Sequence, residues 1–337
     1  MGGGMMMKAI LMERIGGPEV LRLADVKTPQ ITNSHELLIR IKAAGLNPVD
    51  GKQRERGTRY PGTLPQILGC DCAGVVEEAG KMVRRFKRGD EVYFMHGGIG
   101  REQGNYAEYT VIDERFAAKK PSCISFEEAA GVPLAILTAW ESLFDRGNLR
   151  RGQTVLVHAG AGGVGHFLLQ LAKWKGAHVC TTVSNSTKAE FVRMLGVDRV
   201  IRYKGEDFSQ AVLDLTDGRG VDLAVDTVGG DTFFKTISAV RLYGRVVTLL
   251  GPKESRWEEA RMRSIDLSWE MVLTPMYYGI GSLKVHHRKI LETCAKLIDE
   301  GMVQVTLSKC FPLQDAQSAH RELEEGHTIG KMVLKVS

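Results

Sequence analysis

The fold of this chain is decided by the stretch Val155-Leu156-Val157-His158-Ala159-Gly160-Ala161-Gly162-Gly163-Val164-Gly165, an apolar run that breaks into glycines. The run before the glycines is apolar and rich in valine, as a buried parallel strand should be. After the glycines, apolar side chains recur at helical spacing, for example at Val164, Leu168 and Leu171. The stretch therefore predicts a strand, a tight turn and a helix.

The glycines of this turn fit a dinucleotide-binding pattern. Gly160, Gly162 and Gly165 satisfy G-x-G-x-x-G, in which the first glycine turns the chain, the second lets the backbone approach a pyrophosphate, and the third packs the helix on the strand. The helix N-terminus would bind the phosphates through backbone N–H groups and its positive dipole end. A purely structural turn is the alternative, and the second strand that follows at 178–183 favours dinucleotide binding.

Length and composition are those of an ordinary globular protein. A chain of 337 residues exceeds what one hydrophobic core usually organises, so we expect two domains. No apolar run approaches the ~20 residues that a membrane helix needs, so we expect a soluble protein with no membrane partner. The net charge of +5 is mild and no recognition motif accompanies it, so we expect no nucleic-acid partner.

The six cysteines are scattered along the chain, and no secretory signal precedes the predicted fold. A disulfide framework is therefore not expected. This use of cysteine implies a reducing compartment, and we expect the protein to be cytoplasmic.

The pattern of predicted elements changes twice along the chain. Residues 8–111 contain short β-rich runs punctuated by proline and glycine, which predicts an antiparallel β domain. From Gly152 onward strands and helices alternate, which predicts parallel strands joined by right-handed crossovers, hence a doubly wound sheet. After residue 270 the alternation ends, and the simplest interpretation is that the chain returns to complete the first domain. The predicted strands in these two parts are 155–159, 178–183, 199–203, 221–226, 245–250, 304–309 and 332–336, and the predicted helices are 165–175, 187–195, 208–216, 231–240, 283–300 and 313–325.

Four further stretches have a familiar order along the chain: Ala44-Gly45-Leu46-Asn47-Pro48-Val49-Asp50, Leu68-Gly69-Cys70-Asp71-Cys72-Ala73-Gly74, Thr138-Ala139-Trp140 and Gly330-Lys331-Met332-Val333-Leu334. Together with the glycine loop they resemble the medium-chain dehydrogenase/reductase superfamily over nearly the whole chain. Within it, the chain is most similar to the zinc-free quinone oxidoreductases, which reduce quinones and α,β-unsaturated carbonyls with NADPH.

The resemblance implies an α/β protein with a GroES-like β-rich catalytic domain and a Rossmann domain, a doubly wound parallel sheet. The catalytic domain would comprise residues 1–135 and 275–337, and the NADP(H)-binding domain residues 136–274. It also implies a homodimer. An open sheet leaves an edge strand with unpaired backbone groups that a two-fold partner can cover, and the apolar segment 269–274 is our candidate for that edge.

The resemblance also predicts that no metal is bound. The zinc enzymes of the superfamily carry a cysteine where this chain has Asn47, and a His-Glu pair where it has Cys70-Asp71. Their structural zinc loop, with four closely spaced cysteines, would fall near residues 90–110, where this chain has none.

Three residues are candidates for substrate chemistry. Through the resemblance, the Asn47 amide is expected beside the nicotinamide, where it helps to orient the substrate; an asparagine before proline is also a common turn residue. Lys52 stands where many family members have tyrosine, which puts the proton donor in question. Tyr60 is the tyrosine of the cleft-forming segment. Without zinc, the enolate oxygen would depend on backbone N–H groups, Asn47, Lys52, Tyr60 or water.

The cofactor contacts follow from the sheet and from the resemblance, since ligands of open α/β sheets lie at the carboxyl ends of the strands. The expected contacts with NADPH are Asn47, Thr138, Gly160, Gly162, Gly163, Val164, Gly165, Ser184, Lys188, Tyr203, Val228, Leu250 and Gly251.

A preference for NADPH is expected from the residues after the second strand. NAD-specific sites place an acid there, but this chain reads Val183-Ser184-Asn185-Ser186-Thr187-Lys188. Ser184 can donate a hydrogen bond to a 2′-phosphate, Lys188 can supply charge, and Tyr203 matches a family position that also reaches it. The alternative is that Ser186 only caps the helix and Lys188 is solvated.

Two other functions remain open. One is an enoyl-thioester reductase of the same superfamily, which would normally use a tyrosine as proton donor. The other is a dinucleotide-binding protein with a structural or regulatory role and no turnover.

Overall fold

The computed structural model describes residues 5–60, 62–251 and 256–337. The chain packs as two compact units. The first comprises the described residues up to Leu134 together with Leu273–Gly301 and Val305–Ser337, and we call it the β-rich unit. The second comprises Ala135–Val272 and Met302–Gln304, and we call it the parallel-sheet unit.

The first part of the β-rich unit is made of short strands. They are β1 Met6–Met12, β2 Leu21–Lys27, β3 Glu36–Gly45, β4 Gln66–Ile67, β5 Asp71–Ala79, β6 Glu91–Met95, β7 Tyr109–Asp113 and β8 Ala118–Lys119, with helices α1 Pro48–Arg56 and α2 Phe126–Ala130. Helix α3 Pro133–Trp140 begins in this unit and continues into the parallel-sheet unit, which starts at Ala135. Strand β3 pairs antiparallel with both β5 and β7. Its residues Leu37, Ile39 and Ile41 point to one face and pack in a core with Phe94 and Ile112, as the two-residue period of a strand requires.

A π-helical turn at Glu141–Arg146 follows α3, and the parallel-sheet unit then alternates strand and helix. Its elements are β9 Thr154–Val157, α4 Gly165–Trp174, β10 His178–Val183, α5 Ser186–Met194, β11 Arg199–Arg202, α6 Phe208–Leu215, β12 Val221–Asp226, α7 Asp231–Ala239, β13 Val240–Thr248, α8 Glu258–Met262 and β14 Asp266–Trp269. The strands form one sheet in the order β11-β10-β9-β12-β13-β14, with every recorded pairing parallel.

The core of this sheet explains its sequence pattern. Leu156, Ala224 and Val246 of three neighbouring strands are fully buried and pack with Phe233 and Ile237 of α7. Because helices cover the sheet, its strands read as apolar runs rather than as alternating patterns. Strand β9 lies between β10 and β12, so the glycine loop follows a central strand.

The last part of the chain belongs mainly to the β-rich unit. Its elements are α9 Thr274–Tyr277, α10 Gly281–Asp299, β15 Leu307–Pro312, α11 Ala316–Glu325 and β16 Lys331–Lys335. Strand β16 pairs antiparallel with the end of β3, where Val333 faces Gly45. The described helices include none that is both long and apolar enough to cross a membrane.

Three predicted segments were misplaced. The strand expected at 304–309 lies at Leu307–Pro312, and the strand expected at 245–250 begins at Val240, because Val221 pairs with Val240 ahead of an irregular register. The expected edge segment 269–274 contains only the last residue of the edge strand β14. Glu270 turns inward, where it is 4% exposed and pairs with Arg146 at 3.2 Å.

Candidate active site

The glycine loop joins β9 to α4, but the residue that turns the chain is not the expected one. Ala159 takes the left-handed conformation, with φ of 51°, whereas Gly160 does not. Gly160 is needed for space instead, since a Cβ there would lie 2.1 Å from the Thr181 hydroxyl oxygen. The first glycine therefore permits close packing against β10 and does not supply the turn.

The other two glycines differ in their surroundings. A Cβ on Gly165 would lie 2.3 Å from the carbonyl oxygen of Ala159, so the start of α4 packs tightly against the loop. A Cβ on Gly162 would meet only that same oxygen within 4 Å, at 3.3 Å. The backbone at Gly162 is thus open to a ligand, which fits the close approach of a pyrophosphate.

Two of the loop amides are already used inside the protein. Gly160 donates to the Thr182 carbonyl at 3.2 Å, and Gly162 donates to the Ala159 carbonyl at 2.9 Å. A phosphate at this helix N-terminus would therefore have to bind other loop amides, such as those of Gly163 and Val164.

His158, between β9 and the loop, is a buried polar residue whose place the sequence did not predict. Its ring nitrogens lie 3.1 Å from the Thr182 hydroxyl and 2.8 Å from the Thr236 hydroxyl. Burial lowers the pKa of His158 to about 4, so the ring is neutral at physiological pH. The Thr182 hydroxyl also accepts a hydrogen bond from the Ala159 amide at 3.2 Å, so this pair supports the loop from beneath.

Ser184, Lys188 and Tyr203 come together around one small cavity of about 100 Å³, which Ala161 and Gly162 also line. Burial and the nearby ammonium of Lys204 lower the pKa of Lys188. Two like charges beside an open cavity favour an anionic ligand. These residues fit the 2′-phosphate end of a dinucleotide, and Lys204 is a neighbour that the sequence analysis did not name.

The N-cap of α5 is Asn185, not Ser186. The Asn185 side chain accepts a hydrogen bond from the Lys188 amide at 2.9 Å, while Ser186 is the first helical residue. Asparagine is a preferred capping residue, and the chain offered both candidates in succession.

A larger cavity of about 530 Å³ adjoins the small one, since Ala159, Thr182 and Tyr203 line both. Its wall also includes Phe208, whose ring contacts the His158 ring edge to face at a centroid distance of 4.8 Å, and Val228. The size and mixed polarity of this cavity suit a nucleoside.

The loops after β12 and β13 carry Val228, Leu250 and Gly251, and one buried carboxylate organises both. Asp226 accepts hydrogen bonds from the Val228 amide at 3.0 Å and from the Thr248 hydroxyl at 2.9 Å. The Gly251 amide in turn donates to the Thr248 hydroxyl at 3.2 Å. Val228 and Leu250 remain about half exposed, at 47% and 51%. A strand-ending aspartate was the only signal for Asp226 in the sequence.

Thr138 is a buried residue of α3, at 5% exposure. It lies in the parallel-sheet unit, which begins at Ala135.

Asn47 lies in a buried polar network of the β-rich unit, at 1% exposure. Its amide nitrogen donates to Asp71 at 2.9 Å, and its amide oxygen accepts from the Lys331 ammonium at 2.5 Å. The Asn47 backbone N–H donates to Asp50 at 2.9 Å, and the Tyr106 hydroxyl donates to the same carboxylate oxygen at 2.8 Å. The structure thus joins three of the four familiar stretches in one cluster.

Burial dominates the electrostatics of this network. It raises the pKa of Asp50 to about 7, although hydrogen bonds from Asn47 and Tyr106 act in the opposite direction. It raises the pKa of Asp71 to about 6, against the effect of Lys331. Burial, with the two carboxylates nearby, also raises the pKa of the Cys70 thiol.

The other two candidates for substrate chemistry lie outside this network. Lys52 is an exposed residue of α1. The Tyr60 hydroxyl donates to the backbone carbonyl of Tyr277, so its single proton is already engaged. Arg59 lies over the ring of Tyr277 at 5.1 Å. Tyr277, the last residue of α9, is distant in sequence, and no sequence pattern predicted that it would contact Tyr60.

Known proteins are similar to this chain over nearly its whole length. Residues 33–122 match a family described as the alcohol dehydrogenase GroES-like domain, and residues 195–334 match one described as zinc-binding dehydrogenase. A quinone oxidoreductase of Pseudomonas aeruginosa is 34% identical over 98% of this chain and 99% of its own length. An NADPH-dependent alkenal/one oxidoreductase of Arabidopsis thaliana is 34% identical over 97% of this chain and 79% of its own length.

A solved structure gives the same result. A mycobacterial protein complexed with NADPH superposes with a TM-score of 0.85 at 32% identity, covering 98% of this chain and 100% of its own. The two family matches and the named relatives place the chain in a class of nicotinamide-dependent oxidoreductases. The chain belongs to the medium-chain dehydrogenase/reductase superfamily, among its quinone oxidoreductases. The fold class and the family resemblance predicted from the sequence are confirmed.

Proposed function

We propose that this enzyme transfers a hydride from NADPH to a quinone or an α,β-unsaturated carbonyl compound without zinc. The observation that carries the proposal is the Asn47 network, because an amide, two carboxylates and an ammonium fill the place where the family's zinc enzymes have ligands. The names of the relatives support the two substrate classes.

The cofactor, when bound, supplies the hydride. The residues of the chain have three tasks. The loop from Gly160 to Gly165 would hold the pyrophosphate. At the nicotinamide end, the contacts would come from Thr138, Val228, Leu250 and Gly251. Asn47 would donate a hydrogen bond to the carbonyl oxygen, where negative charge develops. With the Tyr60 proton engaged by Tyr277 and Lys52 exposed, water is the proposed source of the final proton.

The cofactor preference is proposed from the cavity at the end of β10. Ser184, Lys188, Tyr203 and Lys204 offer donors and positive charge to a 2′-phosphate, and the N-cap of α5 is an asparagine rather than an acid. This arrangement supports NADPH over NADH.

Zinc independence is part of the proposal. Cys70 is fully buried, and the neighbouring Asn47 side chain already bonds to Asp71 and Lys331. Turnover should survive dialysis against a strong chelator, measured as NADPH oxidation before and after. Loss of activity that zinc alone restores would contradict this.

We also propose that the protein is a cytoplasmic homodimer. The six scattered cysteines suit a reducing compartment. Two observations support a dimer: the resemblance to the family and the open edge of the sheet at β14.

The deciding experiment follows NADPH oxidation against a panel of quinones, alkenals and enoyl thioesters. We expect turnover of quinones or alkenals. Preference for enoyl thioesters would favour the enoyl-thioester reductase. Tight NADPH binding without turnover of any substrate would favour a structural or regulatory protein.

A further inference from the structure

Lys331 is a buried lysine to which the function above assigns no task. It is 5% exposed, and its ammonium donates to the Asn47 amide oxygen at 2.5 Å and to the Leu46 carbonyl at 2.8 Å. Its backbone is fixed as well, because the Lys331 amide donates to the Thr306 carbonyl at 2.8 Å. The preceding Gly330 has φ of 74°, and a Cβ there would lie 2.2 Å from that same carbonyl oxygen. The position of the Lys331 ammonium is therefore fixed by both its side-chain and its backbone hydrogen bonds.

The partners of Asn47 leave its amide only one orientation. An ammonium can only donate hydrogen bonds, whereas an ionised carboxylate can only accept them. With Lys331 on one side and Asp71 on the other, the amide oxygen must face Lys331 and the nitrogen must face Asp71. The flipped amide would place oxygen against carboxylate and N–H against ammonium.

This orientation determines whether the Asn47 side chain presents a hydrogen-bond donor or an acceptor to a substrate. The Asn47 nitrogen carries two hydrogens, and the hydrogen bonds of the described residues use one of them, toward Asp71. The oxygen is occupied by Lys331. At 1% exposure bulk water does not reorient the group. What remains is a donor, as a carbonyl oxygen that gains negative charge requires.

Stability is a poor explanation for this lysine. Removing an ammonium from water costs several kcal/mol, and a well-packed apolar side chain in the same place is often as stable. Burial lowers the pKa of Lys331, which Asp71 and Asp50 partly offset.

We propose that Lys331 is a positioning residue, which locks the Asn47 amide so that its remaining N–H donates to the oxygen of the substrate. This inference rests on the proposed function and adds a residue to it.

The test compares Lys331→Met, Lys331→Arg, Asn47→Ala and the double variant Lys331→Met/Asn47→Ala. In Lys331→Met we expect kcat and kcat/KM for an alkenal to fall together, roughly 10- to 100-fold, since a donor used in the transition state is lost. Lys331→Arg should recover part of this loss. In the Asn47→Ala background, Lys331→Met should cost no more than about twofold, because the two residues act as one unit.

Lys120→Met is the matched control. Lys120 is also buried in the β-rich unit, at 4% side-chain exposure, and donates to two backbone carbonyls at 2.8 and 2.6 Å. Its loss should lower stability without lowering kcat. Equal losses of kcat in Lys120→Met and Lys331→Met would show a merely structural effect and overturn the proposal.

A second readout does not depend on turnover. The side-chain amide resonances of Asn47, assigned by their loss in Asn47→Ala, should shift and broaden in Lys331→Met and stay sharp in Lys331→Arg. If the unmodified protein reduces no substrate but these resonances respond, the proposed function fails and the positioning stands. Unchanged Asn47 resonances in a folded Lys331→Met protein overturn the positioning whatever the activity.

Discussion

At the residue scale, the active-site candidates are governed by burial. Asp50, Asp71 and Lys331 are almost fully enclosed, and so is His158 in the other unit. Burial penalises the charged form of each, and the partners that each side chain finds determine how much charge survives. Single substitutions at these positions should therefore change how the stability of the protein depends on pH.

Asp50→Asn should change how stability depends on pH. Burial raises the pKa of Asp50 from 3.8 to about 7, so between these values the folded protein holds a proton that the unfolded chain has released. Stability from this group is complete below pH 4 and is lost as pH rises through 7. The melting temperature of the unmodified protein, relative to Asp50→Asn, should fall between about pH 4 and pH 7 and then level off. Parallel curves would contradict the raised pKa.

The cofactor preference should depend on Lys188 and Lys204. We expect kcat/KM for NADPH to exceed kcat/KM for NADH by about ten- to hundredfold. Lys188→Ala or Lys204→Ala should each lower kcat/KM for NADPH by roughly five- to tenfold and leave kcat/KM for NADH unchanged. Lys173→Ala is the control, because that lysine is paired with Asp198 at 2.9 Å in the same unit. Equal kcat/KM for the two cofactors in the unmodified protein would refute the argument.

At the element scale, the loop between β9 and α4 contains glycines that are needed for two different reasons, close packing and access for a ligand. Gly165 is required for packing, because its missing Cβ would lie 2.3 Å from a backbone oxygen that cannot move freely. Gly162 borders the cavity, where a Cβ meets one atom at 3.3 Å.

Substitution by alanine should distinguish these demands. Gly165→Ala should destabilise the fold by about 1–3 kcal/mol, as overpacking usually does. Gly162→Ala should have a free energy of unfolding within about 1 kcal/mol of that of the unmodified protein, since a Cβ there meets little. It should bind NADPH more weakly, because its methyl group enters the space for the pyrophosphate. Thermal melts and calorimetric titration with NADPH measure the two effects. Unimpaired NADPH binding by Gly162→Ala would place the pyrophosphate elsewhere.

At the scale of the whole molecule, the sheet order leaves β14 at one edge and β11 at the other. Trp269 and Met271 lie at or just beyond the β14 edge and are each 54% exposed. An exposed edge with large apolar side chains is a surface that a second copy can cover.

Light scattering at micromolar concentration should therefore show a dimer. Trp269→Lys combined with Met271→Lys should shift it toward monomer, because the added charges oppose pairing across the edge. Met194→Lys is the control, since Met194 is 75% exposed on α5, which packs beside the opposite edge strand. A monomeric unmodified protein would contradict the prediction.

The sequence by itself determined the fold class, because local patterns carry it. Alternating strands and helices after residue 152 impose a parallel sheet, and the glycines of the turn at 160–165 mark the strand after which a dinucleotide is expected to bind. Ser184 and Lys188 were expected from the residues after the second strand and Tyr203 from the family resemblance, and the structure places all three around one cavity.

The tertiary structure alone decided the polar network and the fine geometry of the loop. Lys331 and Asn47 are 284 residues apart, and no local pattern predicts that an ammonium will fix an amide across that separation. Ala159, not Gly160, takes the left-handed turn, and Gly160 instead passes close to Thr181 on the neighbouring strand. Sequence periodicity specifies which face of an element is buried, but which polar groups meet on that face depends on how distant elements pack.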